Sequence, residues 1–188
     1  MPSQPRAVEL QTVSIYSRPA RVFHWLTVLL LVLQSAVGWL MPDVDKFKQP
    51  QGLIDLHLSI GFCIIVVVVL RLLWRGTNPP PPRGRHIAPI LGLAASITHG
   101  LLYLLLIAVP LMGWANAVAR GWSISLFGLV PLPAVFAKDS PFVHAFGELH
   151  VPGVWALIAV ISLHVLAALY HHFVVKDDTL QRILPRRR

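Results

Sequence analysis

The 188-residue sequence is short of charged residues and contains a single cysteine. Lys, Arg, Asp and Glu together make up 13% of the chain, whereas a typical soluble domain has about 25%. Hydrophobic residues account for 55%, so the composition indicates that lipid is the main solvent of this protein. Because Cys63 has no second cysteine to pair with, an intrachain disulfide and a multi-cysteine zinc site are both excluded.

Acidic residues are also scarce, which leaves a formal net charge of +8. Such a charge by itself could indicate a nucleic-acid partner. The Lys and Arg residues, however, lie at the ends of apolar runs, as the positive-inside rule describes for membrane proteins. No basic stripe interleaved with aromatic residues occurs, and we therefore expect no nucleic-acid partner.

Four apolar segments are each close to the roughly 20 residues needed to cross a bilayer. They cover residues 20–40, 53–74, 90–114 and 151–175. The first segment is too long for the apolar core of a signal peptide and lacks a small-x-small cleavage site, so we expect it to remain as a span. The sequence predicts an all-α fold, a transmembrane four-helix bundle that forms a single domain over residues 1–188.

The connections between the spans differ in charge. Segment 77–89 is rich in proline and is predicted to be a non-helical turn, while the aromatic-rich segment 114–147 is expected at the membrane interface and has room for a short helix. Twelve of the 16 Lys and Arg residues lie in the two tails and the second connection, and four lie in the other two connections. This asymmetry predicts that both termini face the cytoplasm.

Nine histidines are present, and ionisable residues inside a membrane often mark functional sites because they are costly to bury. His150 and His164 are 14 residues apart in the fourth span. That step corresponds to roughly 21 Å along a helix and leaves the two residues roughly 40° apart around it. One helix therefore presents two histidines on one face, at two depths.

Two other spans offer partners at the same depths. His57 begins the second span on the predicted periplasmic side, and His24 lies in the first turns of the first span on the predicted cytoplasmic side. Two cross-helix pairs result, His57 with His150 and His24 with His164. Imidazole pairs of this kind hold iron cofactors in helical bundles, whereas structural zinc needs four close ligands.

The same 14-residue step recurs on the first two spans, from His24 to Gly38 and from His57 to Arg71. A glycine at position 38 would let a flat macrocycle lie against the helix, although close helix packing explains it equally well. Arg71 would face inward, where it could pair with a carboxylate of the cofactor. The alternative is an arginine that extends to the lipid headgroups.

Two further histidines lie on the predicted cytoplasmic side. His171 is seven residues beyond His164, roughly 20° from the same line around the helix, and His99 opens the third span. Together they could line a pocket for a quinone headgroup, or they could be solvated residues of the interface. We interpret His86 as a solvated loop residue and His172 as a surface residue. His144 is an alternative ligand on the predicted periplasmic side, although the loop-rich sequence before it argues against that role.

Short motifs follow one another in a fixed order over nearly the whole chain: Phe23-His24-Trp25, Leu56-His57, Val69-Leu-Arg71, His99-Gly-Leu-Leu-Tyr103, His164, His171-His172-Phe173 and Lys176-Asp177-Asp178-Thr179-Leu180. In order and spacing they resemble the bacterial cytochrome b561 family. The resemblance implies a multi-pass protein of the inner membrane with two non-covalent b haems. Its axial ligands would be four histidines: His24, His57, His150 and His164.

Because the family includes superoxide oxidases, the resemblance also implies an oxidoreductase. Such an enzyme takes electrons from periplasmic superoxide near the haem edge at His57 and His150, and releases dioxygen. It then passes the electrons to ubiquinone, for which His99 and His171 would be the contacts. The predicted periplasmic side is nevertheless close to neutral, so little electrostatic attraction of superoxide is expected.

Two other functions remain open from the sequence. A cytochrome b subunit could accept electrons from a protein partner of the hydrogenase or dehydrogenase type, docked on segment 114–147. A haem-free membrane transporter is the third possibility, and the matched pairs of histidines argue against it.

Overall fold

The computed structural model describes residues 15–46, 48–82, 89–137 and 140–185. Within these ranges, four helical stretches are long and apolar enough to cross a membrane. The helices are α1 (Arg18–Leu40), α2 (Leu53–Thr77), α3 (Pro89–Ala119), the short α4 (Pro141–Glu148) and α5 (His150–Tyr170). A two-stranded antiparallel hairpin, β1 (Ser125–Leu126) and β2 (Val130–Pro131), lies between α3 and α4. The predicted all-α transmembrane bundle is confirmed.

The third span is longer than the sequence predicted. α3 continues to Ala119, five residues beyond the predicted end at Trp114. Its last turn is rich in alanine, the best helix former, and the helix stops before Gly121, whose φ of +74° lies in the left-handed region. The connection to α5 is correspondingly shorter, and it contains the hairpin and a short helix, α4.

The helix α2 is the centre of the bundle. It packs against α1 on one side and α3 on the other, and α3 packs against both α4 and α5. Ile64 and Val68 of α2 are almost fully buried, whereas Thr27 is the one buried residue described on α1 and Leu157 the one on α5. Among the described residues, neither α1 nor α2 packs closely against the backbone of α5. Side chains therefore bridge the space between the α1–α2 pair and α5.

The bundle has two distinct ends, which we name from their contents. The tail end holds the start of α1, the end of α2 and the residues after α5, and the hairpin end holds the β-hairpin and α4. The cytoplasmic position of the tail end stays a prediction. Several of the charged residues used to predict the orientation, and parts of the connections between spans, lie outside the described residues. They are Arg6, Arg83, Arg85, His86, Lys138, Asp139 and 186–188.

The segment after α5 folds back over the tail end. The Arg21 guanidinium donates a hydrogen bond to the carbonyl oxygen of Leu184 at 3.1 Å, and the Trp25 indole donates to that of Ile183 at 3.0 Å. The backbone N–H of Tyr16 donates to the carbonyl oxygen of Arg182 at 3.2 Å. Residues 182–184 are thus held against the first turns of α1.

Candidate cofactor sites between the helices

Two pairs of imidazole rings face each other across the space beside α5. The ring centroids of His57 and His150 are 6.2 Å apart, and those of His24 and His164 are 6.5 Å apart. When two imidazoles bind one metal ion from opposite sides, each metal–nitrogen bond is about 2 Å long and each nitrogen is about 1 Å from its ring centre. The two ring centres are then about 6 Å apart. Both pairs have this spacing.

All four long helices repeat the 14-residue step, and the structure sorts the eight residues into two levels. The level nearer the hairpin end contains Gly38, His57, Gly113 and His150, and the level nearer the tail end contains His24, Arg71, His99 and His164. The steps on α1, α2 and α5 were predicted from the sequence, and the step on α3, from His99 to Gly113, was not. The hairpin-end level therefore has two histidines and two glycines, and the tail-end level has three histidines and an arginine.

Glycines support the two rings of the hairpin-end level. A Cβ atom built on Gly38 would lie 3.3 Å from Cε1 of His57, and one on Gly113 would lie 3.0 Å from Cε1 of His150. Each glycine thus lets an imidazole lie directly against the neighbouring helix. The sequence suggested Gly38 as a contact for a flat macrocycle, and the contact that the structure contains is with the His57 ring.

Hydrogen bonds define the protonation pattern of these two rings. Nδ1 of His150 donates to the carbonyl oxygen of Val109 at 2.9 Å, and the Gln34 amide nitrogen donates to Nε2 of His57 at 3.1 Å. In both rings Nε2 is therefore the unprotonated nitrogen. A neutral imidazole with this tautomer is the form that binds a metal ion through Nε2.

Unsatisfied polar atoms and empty space surround the same pair. Among the described residues, Oε1 of Gln34, Nδ1 of His57 and Nε1 of Trp114 are buried without a hydrogen-bond partner. Two adjoining, partly open cavities, of about 370 and 400 Å³ with their open solvent included, are both bounded by His57, Leu58, Gly113 and His150. Buried polar atoms without partners point to a missing ligand or water. The residues present therefore fit a cofactor at this level.

Gln34 and Trp114 are contacts that were not predicted from the sequence. Gln34 interrupts an apolar run in the middle of the first span, and a polar residue at that depth is a signal of the same kind as a buried histidine. Trp114 was assigned only to the membrane interface. Both side chains line the cavity of about 370 Å³.

The tail-end level has a different hydrogen-bond pattern. The Arg71 guanidinium lies 3.3 Å from Nδ1 of His24 and 5.4 Å from the centre of the Tyr103 ring, so Arg71 faces inward. Because a guanidinium can only donate, Nδ1 of His24 accepts and its Nε2 carries the proton. A metal ion can bind His24 through Nε2 only after that proton has left and Arg71 has released Nδ1.

The two candidate quinone residues have different partners. The His99 ring lies 5.2 Å from the His164 ring, and Nδ1 of His99 donates to the carbonyl oxygen of Ala95 at 2.6 Å. His171 is further towards the tail, where its Nδ1 donates to the Asp177 carboxylate at 2.6 Å. His99 thus belongs to the tail-end level itself, and His171 lies beyond it as a partly buried residue.

The hairpin end presents one arginine at the mouth of the cavity of about 400 Å³. The Arg120 guanidinium forms an ion pair with Asp45 and lies 5.7 Å from the centre of the Trp122 ring. Its Nε also donates to the Asn116 side-chain oxygen at 2.8 Å. The pairing with Asp45 leaves this mouth without net positive charge from Arg120.

Comparisons with known proteins identify the family of this chain. A family model described as prokaryotic cytochrome b561 matches residues 15–186. Cytochrome b561 homolog 2 of Escherichia coli (strain K12) is 35% identical over 174 residues, which cover 90% of each chain. A probable superoxide oxidase of Yersinia pestis is 33% identical over 88% of this chain and 93% of its own length.

A more distant relative is a probable Ni/Fe-hydrogenase B-type cytochrome subunit of Rhizobium leguminosarum bv. viciae. It is 20% identical over 94% of this chain and 86% of its own length. The family match covers nearly all of the described chain, including both levels of histidines. The chain therefore belongs to the prokaryotic cytochrome b561 family, and it is a multi-pass protein of the bacterial inner membrane that binds b-type haem.

Proposed function

We propose that this protein is a single-domain, di-haem cytochrome that carries electrons across the inner membrane from superoxide to ubiquinone. His57 and His150 would hold one b haem, and His24 and His164 the other. The observation that carries the proposal is the spacing of the two imidazole pairs, 6.2 and 6.5 Å between centroids, at two levels of the bundle. When bound, haem supplies reversible one-electron chemistry, and the protein orients it and adjusts its environment.

The residues of the hairpin-end level would prepare the first pair for iron. Gly38 and Gly113 leave room for the rings, and the Val109 carbonyl keeps the proton of His150 on Nδ1. The hydrogen bond to Val109 leaves Nε2 of His150 as the nitrogen that would bind iron. Gln34 donates to Nε2 of His57 at 3.1 Å, so its amide would have to release that nitrogen before iron could bind there.

The residues of the tail-end level would rearrange when haem binds. Arg71 would leave Nδ1 of His24 and turn to a haem propionate, which offers two acceptor oxygens to the planar guanidinium. His24 could then keep its proton on Nδ1 and present Nε2 to iron. Arg71 would in this way exchange a weak contact for a charge-assisted one.

The two ends of the bundle and one relative support the proposed substrates. A relative named as a probable superoxide oxidase is 33% identical to this chain, and a cavity at the hairpin end leads to His57 and His150. Two superoxide ions would each give up one electron there and leave as dioxygen. Ubiquinone would take up the two electrons, with two protons, beside His99 and His171 at the tail end.

Replacement of the four histidines tests the haem assignment. In protein purified from haem-sufficient cells, we expect His57→Ala or His150→Ala to remove one haem per chain and His24→Ala or His164→Ala to remove the other. His144→Ala is the matched control, because His144 is an exposed histidine of α4 at the hairpin end. A His57 variant that retains two haems with unchanged spectra would contradict the ligand assignment.

The reaction is tested on the purified protein by optical spectroscopy. We expect two b haems per chain in a reduced-minus-oxidised spectrum, rapid reduction by superoxide without oxygen present, and reoxidation by ubiquinone. Two haems that do not respond to superoxide would contradict the proposed substrate and leave the cytochrome itself intact.

A subunit fed by a protein partner is the second candidate function. The hairpin end exposes large apolar side chains, Phe127, Leu129 and Phe142, and one relative is named as a hydrogenase cytochrome subunit. A stable stoichiometric partner in native purification would favour this function. An isolated protein that oxidises superoxide would argue against it.

A further inference from the structure

The helix α5 ends in an irregular turn. Residues His171–Val175 form a π-helical turn, and Lys176 follows with φ +58° in the left-handed region. π-helical turns are rare and occur frequently at functional sites. The chain then reverses, and the backbone N–H of Asp177 donates to the carbonyl oxygen of His171 at 3.2 Å. This reversal brings the side chain of Asp177 back to the ring of His171.

The Asp177 carboxylate has two partners. Its Oδ2 accepts a hydrogen bond from Nδ1 of His171 at 2.6 Å, and its Oδ1 accepts one from the backbone N–H of Thr179 at 2.8 Å. Burial by itself raises the pKa of Asp177, but hydrogen bonds from Thr179 and His171 and the charge of His171 outweigh it, so this pKa lies below its usual value. Asp177 is therefore a carboxylate at neutral pH, and Nδ1 of His171 carries a proton.

A carboxylate that is hydrogen-bonded to an imidazole can prepare the ring for proton transfer. The carboxylate fixes the ring and its tautomer, and it stabilises the ring while the ring carries a second proton on Nε2. The side chains of His171 and Asp177 are 19% and 28% exposed, so they border both the bundle and the surrounding water. A group at this position can take a proton from water and pass it inward.

We propose that Asp177 is a positioning residue for proton delivery, holding His171 so that Nε2–H of its ring gives a proton to the quinone. The inference rests on the proposed function, because it requires ubiquinone as the acceptor at the tail end. A quinone becomes a quinol by gaining two electrons and two protons. Two superoxide ions supply the electrons and leave as dioxygen. For each proton, the N–H bond of His171 breaks, an O–H bond of the quinol forms, and water restores the proton on His171.

Asp177→Asn is the first test, because asparagine can still accept the Thr179 N–H but lacks the negative charge. The matched control is Asp178→Asn, which removes a carboxylate from the next residue, whose side chain is exposed. Protein with both haems reduced would be mixed anaerobically with a short-chain ubiquinone while haem reoxidation is followed. We expect Asp177→Asn to lower the limiting rate about tenfold or more, since general acid catalysis contributes about 10²–10⁴-fold.

The quinone concentration that gives half the maximal rate distinguishes a role of Asp177 in proton delivery from a role in shaping the quinone pocket. We expect it to stay within about twofold in Asp177→Asn, and we expect Asp177→Glu to recover most of the rate, because a carboxylate is restored. Equal rates in Asp177→Asn and Asp178→Asn would overturn the inference. An unchanged limiting rate with weaker quinone binding would also overturn it, since Asp177 would then only shape the pocket.

A measurement independent of turnover reads the tautomer directly. Nitrogen-15 NMR of histidine-labelled protein, with His171→Gln to assign the signal, should give the Nδ1–H tautomer for His171 in the unmodified protein. A mixture of tautomers is expected in Asp177→Asn. If His171 keeps one tautomer in both, Asp177 does not set it and the inference is wrong. If the unmodified protein does not reduce ubiquinone at all, the proposed function is wrong. The NMR experiment does not depend on ubiquinone, so it still shows whether Asp177 sets the tautomer of His171.

Discussion

The Arg71 guanidinium donates a hydrogen bond to Nδ1 of His24 at 3.3 Å, across the contact between α2 and α1. The contact places a permanent positive charge beside one of the two imidazole pairs. The other pair has no arginine or lysine among its described contacts, and its neighbours are glycine, glutamine and a backbone carbonyl. The two levels therefore offer a cofactor different electrostatic environments, which is one way for a protein to give two identical cofactors different reduction potentials.

We expect Arg71→Gln to lower the midpoint potential of one haem and leave the other unchanged. A positive charge stabilises the reduced, less positive iron, so its loss favours the oxidised form. One charge at about 10 Å in a partly polar medium corresponds to a shift on the order of 50 mV. Potentiometric titration followed by optical spectroscopy measures it, and Arg71→Lys should retain most of the native value. Equal shifts of both haems would contradict the placement of Arg71 at one level.

The contacts of Gly38 and Gly113 predict how much haem occupancy each glycine-to-alanine variant loses. We expect Gly113→Ala to lower haem occupancy at the hairpin-end level more than Gly38→Ala does, because the new Cβ would lie 3.0 Å from the His150 ring but 3.3 Å from the His57 ring. Gly76→Ala is the control, since nothing lies within 4 Å of its Cβ position. Haem per chain, measured after purification, gives the order. Full occupancy in Gly113→Ala would show that the ring can shift at little cost.

The ion pair at the hairpin end predicts an effect on superoxide. We expect Asp45→Asn to increase the rate of haem reduction by superoxide about twofold or more at low ionic strength, because Arg120 would then present an uncompensated charge at the cavity mouth. The increase should disappear at high salt, where exposed charges are screened. Stopped-flow measurements with Arg120→Gln as the opposite change would check it. A rate that is independent of both substitutions would mean that superoxide enters elsewhere.

The depressed pKa of Asp177 predicts a pH dependence of the C-terminal turn. A carboxylate with a lowered pKa contributes stability above its ordinary pKa of about 4, and this contribution is lost as the pH falls through the lowered value. We expect the amide of Thr179 to lose protection from hydrogen exchange over that acidic range, after correction for intrinsic exchange. In Asp177→Asn the transition should be absent. Its persistence would assign the transition to another carboxyl group.

The four spans and the two histidine pairs could be predicted from the sequence, because they depend on hydrophobicity and residue spacing along single helices. Apolar runs of about 20 residues determine the four spans, since an unpaired backbone in lipid is too costly for other structures. The 14-residue step between His150 and His164 follows from helix periodicity. Four helices in series then bring residues of equal depth together, and the ring centroids of the two predicted histidine pairs lie 6.5 and 6.2 Å apart in the structure.

Other features depend on packing between helices. Such contacts cannot be predicted from the spacing of residues along one helix. The sequence did not reveal that Gly113 supports His150, that Gln34 reaches His57, or that Arg71 contacts His24, because each contact joins two helices whose rotation is set by the rest of the bundle. The π-helical turn at His171 likewise arises where α5 meets the returning C-terminal segment. Helix periodicity determined which residues share a face, and only the tertiary structure decided which of those residues touch and which hydrogen bonds the rings of His24, His57 and His150 make.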